Sequence, residues 1–88
     1  MLGIKKRIGM RLTYKGFELK SAVEHLRDSG EWSTRVLITK HHANEVKEKF
    51  CSASNTFKDK AVAENYSIEF GKQVVDGHYQ NATITDLL

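Results

Sequence analysis

Residues 55–76 read NTFKDKAVAENYSIEFGKQVVD, and this stretch decides the fold. Thr56, followed three residues later by Asp59, has the form of a helix-capping signal. Phe57, Ala61, Val62, Tyr66, Ile68, Phe70, Val74 and Val75 then recur at helical spacings, which predicts a helix over residues 57–75. The segments before it alternate as strands do. The chain therefore reads as α+β: an antiparallel meander of three to four strands packed on one C-terminal helix.

Working back from the helix, Trp32, Thr34, Val36 and Ile38 alternate with Ser33, Arg35, Leu37 and Thr39, a β-branched run that predicts the most secure strand. Phe17, Leu19, Ser21 and Val23 alternate with Glu18, Lys20, Ala22 and Glu24 in the same way. Arg27 to Glu31 has the composition of a turn. Leu12 and Tyr14 belong to a short first strand that meets Gly16, which fits either a tight turn or a bulge. Residues 41–53 fit two patterns. Val46, Glu48, Phe50 and Ser52 alternate as in an edge strand, while Ala43, Val46 and Phe50 also fall at helical spacing. A meander needs a further member before the helix, so the strand is expected. Phe17, Leu19, Trp32, Val36, Ile38 and Ile68 are the expected core.

The helix carries two apolar stripes: Phe57, Ala61, Ile68, Gly71 and Val75, and, roughly opposite, Val62, Ala63, Tyr66, Phe70 and Val74. A helix lying on one sheet needs one stripe. Val62, Tyr66, Phe70 and Val74 are therefore candidates for an exposed interaction strip, to be covered by a partner protein, by a second copy of the chain, or by the tail residues Ile84, Leu87 and Leu88.

Length and composition narrow the function. Eighty-eight residues make one domain, expected over 11–76, with a flexible basic segment over 1–10 and a loose tail over 77–88. With 40% hydrophobic and 28% charged residues the chain is of ordinary globular type. Its longest apolar run is far short of the roughly 20 residues that span a bilayer, so no membrane association is expected. The single Cys51 cannot make an internal disulfide, which makes the cytoplasm the expected compartment. The net charge of +3 is uneven: Lys5, Lys6, Arg7, Arg11 and Lys15 precede the first acidic residue, and the body from Phe17 onward holds nine basic and eleven acidic residues.

No pattern of catalytic or cofactor chemistry emerges. His25, His41, His42 and His78 lack the spacing of structural zinc ligands, Cys51 has no nucleophile signature beside it, and Gly71-Lys72 lacks the upstream glycine of a phosphate loop. Neither an enzyme nor a cofactor is expected. The leading expectation is a non-enzymatic protein-interaction module. The alternative is a nucleic-acid binder that uses Lys20 and Arg35 on the sheet face, with Lys47 and Lys49 as candidates to join them and Lys5, Lys6 and Arg7 as a basic arm.

Tyr14-Lys15-Gly16-Phe17, Trp32 at the head of a β-branched strand, Phe57 before Asp59-Lys60-Ala61, and Gly71-Lys72 with Val75-Asp76 together resemble a group of small uncharacterised bacterial proteins, some of them phage-derived. The resemblance covers about residues 11–76; it implies a phage or accessory-element origin and no known activity. The same order of elements is similar, more weakly, to AP2 and integrase arm-type β-sheet DNA-binding domains, which implies that the sheet enters a DNA groove. Phe17-Glu18-Leu19-Lys20 stands where those domains carry an arginine-rich strand.

Overall fold

The computed structural model describes residues 10–88. Strands β1 (Arg11–Tyr14), β2 (Phe17–Ser21), β3 (Trp32–His41) and β4 (Val46–Phe57) form one antiparallel sheet in that order, followed by helix α1 (Lys60–Val75) and a 3-10 turn at Thr85–Leu87. The architecture is the expected α+β meander closed by one helix, and the ambiguous segment before the helix is strand from Val46 onward. The arm residues Lys5, Lys6 and Arg7 lie outside the described residues, as does the rest of the expected flexible segment up to Met10. Met10 itself is tied down, because its carbonyl accepts the Ser21 N–H at 2.8 Å.

Gly16 makes a turn rather than a bulge. Lys15 and Gly16 have φ of 50° and 84° and join Tyr14 to its cross-strand partner Phe17. Two consecutive positive φ values are what the right-handed twist of a two-residue hairpin demands. The turn is locked to the far end of the helix: Tyr14 Oη donates to Asp76 Oδ2 at 2.7 Å, and Lys15 Nζ donates to Asp76 Oδ1 at 2.6 Å.

The helix starts later than the sequence pattern predicts. Asp59, not Thr56, is its N-cap, accepting the N–H groups of Ala61 and Val62 at 2.8 and 3.3 Å. Thr56 and Phe57 remain in β4 opposite Ser33 and Trp32, and the Thr56 hydroxyl bonds Glu31. Asp is at least as strong a cap as Thr, and the sheet keeps the two residues that would otherwise begin the helix.

Phe17, Leu19, Val36, Ile38 and Cys51 line the covered face of the sheet and pack against Ile68, Phe70 and Val74 of the helix. Gly71 allows the close approach, since a Cβ there would stand 3.0 Å from Val36 Cγ2. Ser67 is the buried polar residue that the helix contributes to this layer and is satisfied on both sides: Oγ donates to Ala63 O at 2.8 Å and accepts the Arg35 N–H at 3.0 Å. Trp32, expected in the core, is only half-buried. It lies at the end of the sheet, stacked on His25 at 4.6 Å with the Lys60 ammonium over its ring.

The expectation of a loose tail is also corrected. Leu87 is buried in the core, Tyr79, Ala82 and Ile84 pack against it, and the Tyr79 ring meets Phe70 edge-on at 5.1 Å. Lys49 Nζ fastens the segment by donating to Thr83 O at 2.9 Å and Asp86 Oδ1 at 3.0 Å, while a ring nitrogen of His42 lies 2.8 Å from Leu87 O. The tail packs beside the helix over the β4 side of the covered face. The molecule measures 37 × 37 × 18 Å. Eighteen ångströms accommodate one sheet and one helix, so among the described residues no layer lies upon the other face of the sheet.

Candidate functional site

The sequence-predicted strip does not exist as a surface. Val74 is fully buried and Phe70 is 6% exposed, both in the core, while Val62 is 45% exposed and Tyr66 half-buried. The reason is geometric. Ala63, Ser67, Ile68, Phe70, Gly71 and Val74 make up one broad buried face, and the two stripes that looked opposed supply its two flanks. The tail then covers Phe70. Tyr66 and Phe70 do converge, but on a cavity of about 340 Å³ between the helix, the tail and residues 52–55 of β4. That part of β4 is bulged: Ser33 pairs with Thr56 and Arg35 with Ser52, so residues 53–55 stand opposite Thr34 alone. Thr34 Oγ1 donates to Asn55 O at 2.6 Å, and Tyr66 Oη donates to Asn55 Oδ1 at 2.9 Å, which pins the bulge to both strand and helix.

The surface that the fold leaves available is the opposite face of the sheet. The registers arrange it in rows across the strands. One row is Arg11, Lys20, Leu37 and Phe50; the next is Thr13, Glu18, Thr39 and Glu48; beyond it lie His41 and Val46, and on the other side Arg35 and Ser52. Phe50 is 55% exposed and Val46 54%. Half-buried Leu37 lies beside Phe50 as an apolar pair at the β4 side of this face, and Val46 lies two rows away beyond Glu48. Single exposed apolar residues are ordinary; an exposed aromatic ring paired with Leu37 on a sheet face without a covering layer among the described residues is the feature that stands out.

The charges here are balanced. Arg11, Lys20 and Arg35 face Glu18, Glu24 and Glu48, three against three. Arg11 lies 3.5 Å from Glu18, and Arg35 3.2 Å from Glu24. Arg35 is committed further, since Nε donates to Ala22 O at 3.1 Å and the guanidinium stands 4.5 Å from the centre of the Phe50 ring. Of the two sheet-face cations named from the sequence, Lys20 alone has no ion-pair partner among the described residues. Lys47 and Lys49 do not join them. They project from the covered side, where Lys49 lies opposite Ile38 and reaches the tail.

The perturbed titratable groups among the described residues lie in the core and at the fastenings of the fold. The Cys51 thiol is buried on the covered side and pushed up by that burial against the opposing influence of Lys49, so it rests protonated. Asp76 is held below the usual carboxylate range by the hydrogen bonds from Lys15 and Tyr14, and Asp86 by the bond from Lys49. These shifts belong to the two fastenings of the fold, at the hairpin and at the tail.

The sequence signal that could have located this surface is Phe50 in alternation with Val46: aromatic and β-branched residues on the face that carries Lys20 and Arg35. No family model matches the chain, and no curated protein or solved structure matches it significantly.

Proposed function

We propose that the chain is a non-enzymatic protein-interaction module whose contact surface is the β4 side of the open sheet face. The observation that supports this reading is exposed Phe50 beside Leu37, with exposed Val46 further along the same strand, on a face that no other described residue covers. Arg35, stacked on Phe50, gives this surface a cationic edge of the sort enriched at protein interfaces. A reducing compartment such as the cytoplasm suits a fold whose single cysteine is a buried thiol. The test is quantitative capture from the native host with wild-type protein and the Phe50→Ser variant. Phe50 is more than half exposed, so the variant keeps its fold. Partners retained by wild type and lost by Phe50→Ser support the reading, and identical capture by both refutes it.

A second reading, nucleic-acid binding, draws support from Lys20, which stands on the open face without an ion-pair partner among the described residues. The charge balance around it and the engagement of Arg35 make this face a poor match for a phosphate backbone. Titration with duplex DNA at low and moderate salt separates the readings. Phosphate contacts require affinity that falls steeply with salt and shift changes at Lys20 and Arg35; no binding at low ionic strength removes the alternative.

A further inference from the structure

We infer that the outer edge of β4 pairs with the same edge of a second copy of this chain, in an antiparallel register centred on Phe50, so that two sheets join as one. The inference rests on the interaction reading above and names the partner.

The phase of the free backbone groups comes first. Ala22 N–H donates to Arg35 O, and Ser33 N–H to Glu24 O, each at 2.8 Å, so the odd-numbered residues of β3 turn their backbone toward β2. Backbone groups in a strand alternate sides, and Val36, Ile38 and Lys40 therefore face β4. Their partners there are Cys51, Lys49 and Lys47. It follows that Val46, Glu48, Phe50 and Ser52 turn N–H and C=O outward. The tail does not claim these groups: it is fastened through the side chains of Lys49 and Lys47 on the covered side, and among the described residues none of its backbone hydrogen bonds reaches β4. β4 is thus a 12-residue edge strand whose flat part runs up to the bulge at 53–55, whereas the other edge, β1, has four residues. Long uncovered edges template pairing with another strand; short ones do not.

Side chains then select the register. Centred on Glu48, a symmetric pair would set Glu48 against its own copy and Lys47 against Lys49. Centred on Lys49, it would set Lys49 against Lys49. Centred on Phe50, it sets Phe50 on Phe50, Glu48 on Ser52, Lys49 on Cys51 and Lys47 on Ala53. This register has no like charges opposed and places an aromatic pair on the twofold axis, each ring already backed by an Arg35. The pairing sets each Phe50 ring beside its copy and reduces the exposure of both. Isologous pairing of this kind closes on itself and leaves no free β4 edge for further growth.

Sedimentation equilibrium of the full chain from about 1 μM to about 1 mM, the span in which modest interfaces dissociate, should reveal a species of twice the 10.0 kDa chain mass that dissociates on dilution. Phe50→Lys sets two ammonium groups face to face on the axis and should weaken the dimer by roughly tenfold or more. As an independent readout, Phe50→Cys combined with Cys51→Ala should cross-link the two chains on mild oxidation. Directly opposed residues in a hydrogen-bonded pair have Cα atoms about 5.5 Å apart, within disulfide reach. Val46→Cys in the same background should not cross-link, since its opposite residue would be Ser54. A monomer at about 1 mM overturns the dimer, leaving the interaction reading to be judged by the Phe50→Ser capture. Cross-linking through position 46 instead of 50, or a dimer indifferent to Phe50→Lys, overturns this edge and register.

Discussion

The two faces of one sheet have nearly the same strands beneath them and opposite fates. On the covered face, Leu19, Val36 and Ile38 are fully buried beneath α1 and the tail. One residue along each strand, Lys20, Arg35, Leu37 and Phe50 point to the uncovered side. The covered face is mainly apolar where the helix meets it, and the buried helix hydroxyl, Ser67, is doubly bonded. The open face mixes apolar, basic and acidic side chains in rows. A core tolerates no unpaired charge, whereas a face that alternates between water and a partner must be soluble without one. The difference separates what folds the chain from what the chain can offer to others.

The largest effect expected from this contrast is at Leu19. Leu19→Ala, on the covered face, should lose about 2–5 kcal/mol of stability, while Leu37→Ala, on the open face, should lose under about 1 kcal/mol. Urea denaturation with unchanged m-values checks both. Comparable losses at the two positions would erase the distinction between the faces.

Gly71→Ala sharpens the contrast from the helix side. The added methyl meets Val36 Cγ2 at 3.0 Å and Leu19 Cδ1 at 3.4 Å. Overpacking costs about 1–3 kcal/mol, and the better helix propensity of Ala returns about 0.5–1 kcal/mol. A net loss of about 1–2 kcal/mol should appear in the same denaturation experiment; a gain would show that the helix can lift off the sheet without penalty.

The smallest effect belongs to the hairpin fastening, which is solvent-exposed. Asp76 is depressed by its bonds to Lys15 and Tyr14, so its contribution is present above the ordinary carboxylate pKa and is lost as pH falls through its lower folded value. Lys15 is raised by the same contact, and its contribution is lost only as pH climbs through that raised value. The stability gap between wild type and Asp76→Asn should be widest near neutral pH and close on acidification, as read from thermal melts across pH. A gap that stays constant into acid would detach the effect from the ion pair.

Much of the fold was legible in the sequence because period-2 and period-3.6 patterns record burial directly. Phe17, Leu19, Val36, Ile38 and Ile68 reach the core as expected. The turn at Lys15-Gly16 needed the backbone, since its composition fits a bulge equally well. The helix strip was misread because a stripe in sequence does not reveal what the tail will cover: Leu87 and Tyr79 have no period of their own, and their burial is a tertiary contact. The same blindness hid Lys49, whose alternation is compatible with an open-face phosphate contact but whose ammonium holds Thr83 and Asp86 on the covered side. Arg35 and Lys20 were placed on the right face, but the neutralising acids across the strands follow from register, which alternation alone does not fix.

Residue-resolved amide exchange on β4 at two concentrations tests most directly whether the outer edge of β4, unpaired among the described residues, is taken up by a second copy. In dilute solution the amides of Glu48, Phe50 and Ser52 should exchange much faster than those of Lys49 and Cys51, which bond β3. At high concentration the fast set should slow toward the protected set. Equal protection of all five at every concentration would mean that the chain covers this edge itself, and fast exchange of the outward set at high concentration would mean that no second strand ever pairs with it.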